Sequence, residues 1–149
     1  SSGVRNVQIH DLITGVKTNS LSEGEFIESI RVPILNGPQE FLKVGPRNAM
    51  VISVASLAMV TDMARKIIGV AMGSVSATPC RAKAAEEHIA KYINWDSMTV
   101  KASAIEEFVN LVKEATNPID DHRSSSSYRL HTVGVLAQRA LTRSFGTED

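Results

Sequence analysis

Apolar and polar positions alternate with a short period in the first half of the chain and with a helical period in the second. Val4, Val7 and Ile9 stand among Arg5, Asn6 and Gln8, which predicts a first strand over Val4–Ile9. Leu21, Phe26, Ile27 and Ile30 are the next apolar points, and Ile30, Val32 and Ile34 alternate as a second short strand. Pro33 confines that strand to a sheet edge, because proline has no N–H to give to a ladder. Asn36-Gly37-Pro38 then marks a turn. Phe41–Val44 reads as a strand entering a second turn, and Met50–Val60 as a buried strand, from Val51, Ile52, Val54 and Val60. A near-continuous apolar run has no period of its own, so a buried helix over 50–60 stays open. Arg65–Val75 reads as a further strand, punctuated by Lys66, Gly69 and Gly73.

After residue 77 the spacing changes. Thr78-Pro79 predicts a helix start, with a hydroxyl at the cap and proline in the first helical position. Ala82, Ala85, Ile89 and Ile93 follow on one face, with Lys83, Glu86 and Glu87 off it, and Asn94 ends the helix. Ser103-Ala104-Ile105-Glu106 has the form of a capping box. Behind it Ile105, Phe108, Val109, Val112 and Ala115 make one stripe, which Asn117-Pro118 stops. A polar loop over 120–127 leads to a last helix carrying Tyr128, Val133, Leu136, Ala137, Ala140 and Leu141. Strands first and helices afterwards predict an α+β fold. A small, mostly antiparallel sheet from the N-terminal half packs against about three helices from the C-terminal half.

Length and charge narrow the function more than the fold. The 149 residues make a single domain, 1–149, and a 43% hydrophobic content supports a real core. Sixteen basic and sixteen acidic side chains cancel, so nothing points to a nucleic-acid partner. The one cysteine, Cys80, excludes an internal disulfide and fits a reducing, cytoplasmic setting. No leader pattern opens the chain, and the longest apolar run, 49–60, is well short of the ~20 residues that span a bilayer. A soluble chain without a membrane span is expected.

Candidate chemistry is sparse. Gly69–Ser74 has three residues between its glycines where a phosphate loop needs four, and lacks the Lys-Ser/Thr that follows. Glycines that let strands approach closely explain it better. No G-x-G-x-x-G is present. Cys80, in the first turn of the predicted helix, has no histidine near it in sequence and reads as a small packed thiol. Asp120, Asp121 and His122 are adjacent, and neighbours on an extended chain point in opposite directions, so a solvated loop is favoured over a metal site. Arg129, Arg139 and Arg143 lie on the last helix, with Arg139 and Arg143 one turn apart; they either complement the helix dipole or form a docking face for an acidic partner. The turn at Lys43–Met50 brings Lys43, Gly45, Arg47 and Asn48 together, two cations with backbone donors around a glycine. From spacing alone it is either a site or a connection between strands.

The order of landmarks is more specific. "LSEGEFIESIRVP", "FLKVGPRNAMVISVAS", "IIGVAMGSVSATPCRAKAAEEHI" and "HRSSSSYRLHTVGVLAQRAL" follow one another from about Arg5 to Leu141. This series closely resembles the C-terminal domain of the FAD-binding medium subunit of molybdenum hydroxylases, the carbon monoxide dehydrogenase and xanthine dehydrogenase group. The resemblance implies a small antiparallel sheet with helices that closes over a flavin held mainly by a preceding FAD region. It makes about 1–20 the crossing from that region. It further implies electron flow from the molybdenum cofactor through iron–sulfur clusters to FAD, and on to NAD or another acceptor. Its partners would be a molybdenum-binding large subunit and an iron–sulfur small subunit. The family's ring-side loop corresponds to Lys43–Met50, making Lys43, Gly45, Arg47 and Asn48 the cofactor-proximal residues. A second ring-side segment corresponds to 14–21, where Lys17 stands at a position that is aromatic in some members. Tyr128 and Arg129 match a family pair expected to hold the last helix to the domain. Isolated, the chain is expected to be inactive. The alternative is a non-catalytic subunit-interaction module with no direct flavin contact.

Overall fold

A strictly alternating burial pattern over Ala55–Asp62 supplies the spine of the fold. A computed structural model describes residues 3–149 and places this strand, β4, between Gln39–Val44 (β3) and Ile67–Gly73 (β5), with Cys80–Arg81 (β6) at the far edge. Every pairing in this four-stranded sheet is antiparallel, and Leu57 stands opposite both Leu42 and Met72. Successive side chains of a strand face opposite ways, so Leu57, Met59, Val70 and Met72 all reach one face and are buried there. On the other face Phe41, Ala58 and Ala71 form a row across the strands, with Phe41 67% exposed.

Two helices cover the buried face, Lys83–Ala90 (α2) and Ser126–Ser144 (α4), and a third, Ile105–Glu114 (α3), packs against both of them. Phe108 and Val112 of α3, and Val133, Leu136, Ala137, Ala140 and Leu141 of α4, meet the sheet residues in one continuous core. Ser125 caps α4 by accepting the N–H of Tyr128 on its hydroxyl, 3.2 Å away. A second, smaller sheet of Ile93–Asn94 (β7), Thr99–Lys101 (β8) and Gly146–Glu148 (β9) ties the chain end to the middle, and its β8–β9 pair is parallel. Phe145, buried, meets Trp95 edge to face at 6.2 Å between ring centroids.

The α+β class is as expected, yet strands also occur in the second half, and several local expectations fail. Cys80–Arg81 continues the sheet instead of opening a helix at Thr78-Pro79; the N–H of Ala82 still donates to the Val70 carbonyl, and α2 begins only at Lys83. Glu86 does not point off the core. It is buried, accepts the N–H of Val70 at 2.7 Å where β6 runs out, and pairs with Arg81. A buried carboxylate here completes the ladder that the short strand leaves open. The Ser103–Glu106 box makes no side-chain cap; a single 3-10 turn over Ala102–Ala104 precedes α3. Tyr128 is half exposed, outside the apolar stripe of α4.

The N-terminal arm differs most. Val4–Ile9 and Ile30–Ile34 are not strands; the arm holds one helical turn, Ile9–Leu12 (α1), and a tiny hairpin, Ile13–Gly15 (β1) with Thr18–Asn19 (β2). Among the described residues 3–36 none is buried, and no hydrogen bond or ion pair joins 3–34 to anything beyond residue 34. Alternation makes a strand only where a neighbouring strand takes its backbone hydrogen bonds, and this chain offers none there.

Candidate functional site

The loop between β3 and β4 carries three of the five predicted site residues, Gly45, Arg47 and Asn48, while Lys43, expected in the turn, is still in β3 and pairs with Ser56 just before the loop. Its neck is closed by the N–H of Val54 donating to the Val44 carbonyl at 2.7 Å. Within it the N–H of Ala49 donates to the Arg47 carbonyl at 2.9 Å, and Lys43 Nζ reaches across to the Val51 carbonyl at 3.1 Å. Gly45 sits against the Val51 side chain so closely that an added Cβ would collide with it. Glycine is therefore needed at this bend for space. Arg47 and Asn48 are exposed, and among the described residues the Arg47 guanidinium has no carboxylate partner. The loop thus presents one uncompensated cation, a second cation anchored by its own backbone, and Met50 fully exposed at the tip.

Lys17 lies elsewhere in the fold, at the tip of the β1–β2 hairpin with φ +57°. It borders an open groove of about 390 Å³ lined by Leu12, Ile13, Thr18, Leu21 and Ile27. No hydrogen bond or ion pair among the described residues links Lys17 to the Lys43–Met50 loop.

The other candidates resolve into structure. Gly69 and Gly73 belong to β5, where an added Cβ on Gly73 would come within 2.7 Å of Ser56 Oγ. That is close strand packing, not a phosphate loop. Cys80 is half-buried in β6 with its sulfur 3.5 Å from Ser76 Oγ. Asp121 accepts the N–H groups of Arg123 and Ser124, which, with the Arg129 guanidinium, hold its carboxyl down at a pKa of about 2. The N–H of Ser126 likewise lowers Asp120. Arg143 faces Glu40 of β3 at 3.7 Å, while Arg139 is exposed.

Arg129 leaves the cationic face altogether. It is 5% exposed, and its guanidinium donates to the Val54 carbonyl at 2.6 Å, the Ser74 carbonyl at 2.7 Å and Asp121 at 2.8 Å. The expected hold on the last helix is there, carried by Arg129; the adjacent Tyr128 side chain makes no hydrogen bond among the described residues. Reading Arg129 with Arg139 and Arg143 as surface charge missed this. The available signal was its register, since Arg129 shares the stripe of Val133, Leu136 and Ala140 at helical spacing.

Known proteins resemble this architecture closely. Residues 40–144, from β3 to the end of α4, match the family described as the CO dehydrogenase flavoprotein C-terminal domain. The glyceraldehyde dehydrogenase medium chain of Sulfolobus acidocaldarius is 32% identical over 145 residues, covering 95% of this chain and 49% of its own length. The fold matches a chain of quinoline 2-oxidoreductase from Pseudomonas putida 86 with a TM-score of 0.76 at 22% identity, over 97% of this chain and 49% of that one. It also matches a chain of reconstituted CO dehydrogenase from Oligotropha carboxidovorans with a TM-score of 0.74 at 24% identity, over 90% and 46%. The chain spans about half the length of these relatives. With that match running from β3 through the four-stranded sheet to the end of α4, this chain belongs to the CO dehydrogenase flavoprotein C-terminal domain family.

Proposed function

We propose that the chain is the C-terminal domain of a molybdenum hydroxylase flavoprotein subunit, where it closes over FAD and supports subunit assembly. Membership of the flavoprotein domain family carries this reading. The β3–β4 loop supports it chemically. A reduced flavin bears negative charge at its pyrimidine side, and Arg47 is exposed without a carboxylate partner among the described residues. Lys43, Gly45, Arg47 and Asn48 would form one lip of the flavin pocket and Lys17 would approach from the hairpin. Lys17 would do so as a cation, without the stacking an aromatic side chain gives. Bound FAD would take electrons from iron–sulfur clusters and pass them to NAD or another acceptor. The molybdenum-binding large subunit, the iron–sulfur small subunit and an N-terminal FAD region are the partners in this reading.

The exposed arm supports the same assignment. Phe26, Ile30, Val32 and Ile34 are each more than three-quarters exposed within a stretch that has no core of its own. In a subunit twice this length they would pack on the FAD region, with residues up to about 20 forming the crossing. The test is the FAD content of the longer polypeptide with and without Lys43→Ala plus Arg47→Ala. Loss of FAD on purification is expected in the double variant. Unchanged FAD content would favour a subunit-interaction module with no direct flavin contact.

A further inference from the structure

Three separate chain segments converge on the guanidinium of Arg129, in the first turn of α4. One Nη donates to both Val54 and Ser74 carbonyls, and the other to Asp121. Val54 is the residue whose N–H closes the neck of the β3–β4 loop on Val44, so both backbone polar groups of this one residue are fixed. Ser74, at φ +64°, is the first residue past β5. The loop otherwise holds itself only through Lys43 and the Ala49–Arg47 turn.

We propose that Arg129 is a positioning residue for the Lys43–Val51 loop. Its grip on the Val54 carbonyl fixes the loop's exit against the helical layer, in addition to seating α4. Arginine suits this task because a planar fork of donors reaches two carbonyls and a carboxylate at once, whereas a lysine ammonium is a single point on a flexible stem. Burial strengthens the case: both carbonyls lose their buried donor when the guanidinium is removed, and the neck loosens first. Any consequence for cofactor binding rests on the flavin reading above; the grip itself does not.

The test is made on this chain without cofactor, so failure of the flavin reading cannot affect it. In Arg129→Lys, exchange of the Val54 amide should accelerate about tenfold or more, and backbone order parameters at Val51–Val54 should fall from ~0.85 towards ~0.6. Met59 and Val70, in the sheet centre, should stay as in the wild type. Asp121→Asn retains the bonds to Val54 and Ser74, so its loop should also stay as in the wild type. Equal acceleration throughout the sheet, or changes confined to 121–129, would overturn the proposal. So would an Asp121→Asn loop as mobile as that of Arg129→Lys. Should Arg129→Lys not fold, the wild type still decides: order parameters at Val51–Val54 as low as those at 28–34 of the arm would overturn it.

Discussion

The arm, residues 3–36, and the body, residues 37–149, have comparable apolar side chains but opposite fates. In the body Phe108, Leu57 and Met59 are at most 1% exposed; in the arm Phe26 and Ile34 are 82% and 95% exposed. The body buries its apolar groups against its own helices and sheets. The arm is held by the Arg5–Glu25 ion pair, the Ser22 N–H on Glu25 and a short hairpin. Hydrophobic residues specify structure only when the same chain supplies the surface that covers them. The family match, 40–144, coincides with the self-sufficient part.

The contrast breaks most visibly in the core. Phe108→Ala should cost about 3–5 kcal/mol, because it empties a packed site that the sheet cannot refill. Phe26→Ala, on the arm, should stay within about 0.5 kcal/mol, as exposed substitutions do. Urea denaturation of both variants measures the two directly, and similar losses would mean that the arm has a core after all. Limited proteolysis should sharpen the boundary next. Cleavage after Lys17 or Arg31 is expected first, leaving a resistant product that retains residues 40–145, as mass spectrometry would read. Early cuts within α3 or β4 would refute the division.

Smaller effects come from the ion pairs on each side. Asp121 has its pKa lowered from 3.8 to about 2, first by the Arg123 N–H and then by Arg129. A carboxyl with a depressed folded pKa stabilises the fold above its ordinary value and loses that contribution as pH falls towards the folded one. The stability gap between wild type and Asp121→Asn should therefore be constant above pH 4 and close between about pH 4 and 2, measured by thermal melts across that range. Glu25 is also held at about 2, by Arg5 and then by the Ser22 N–H, but it secures only the arm. Glu25→Gln should leave the melting midpoint of the body unchanged, and a clear drop would show the arm to be part of the cooperative unit.

The same division explains what could be read from sequence. β3, β5, the stripe of α3 and most of α4 follow from local pattern because their partners lie within the chain; β4 follows only in part, since β-branched content favours a strand over 50–60 and the strand observed is Ala55–Asp62. The alternation at Val4–Ile9 and Ile30–Ile34 is equally clear, yet no strand accompanies it. Periodicity reports which face is apolar, not whether a neighbour exists. Local pattern fails for Glu86 and Arg129 for a related reason, although the family resemblance does point to Arg129 as a hold on the last helix. Their partners Val70 and Val54 are 16 and 75 residues away, and no local pattern announces a buried carboxylate or guanidinium that completes a distant backbone. For the Lys43–Met50 loop, spacing alone favours a plain connection over a site. The ordered landmarks on either side of it raised it to a candidate.

Whether that loop meets a flavin is most directly tested by the reduction potential of FAD in the longer polypeptide, for wild type, Arg47→Ala and Arg139→Ala. A cation beside the flavin favours its anionic reduced form, so the account predicts a more negative potential in Arg47→Ala and none of that change in Arg139→Ala, an exposed arginine on α4. Identical potentials in all three proteins would contradict it.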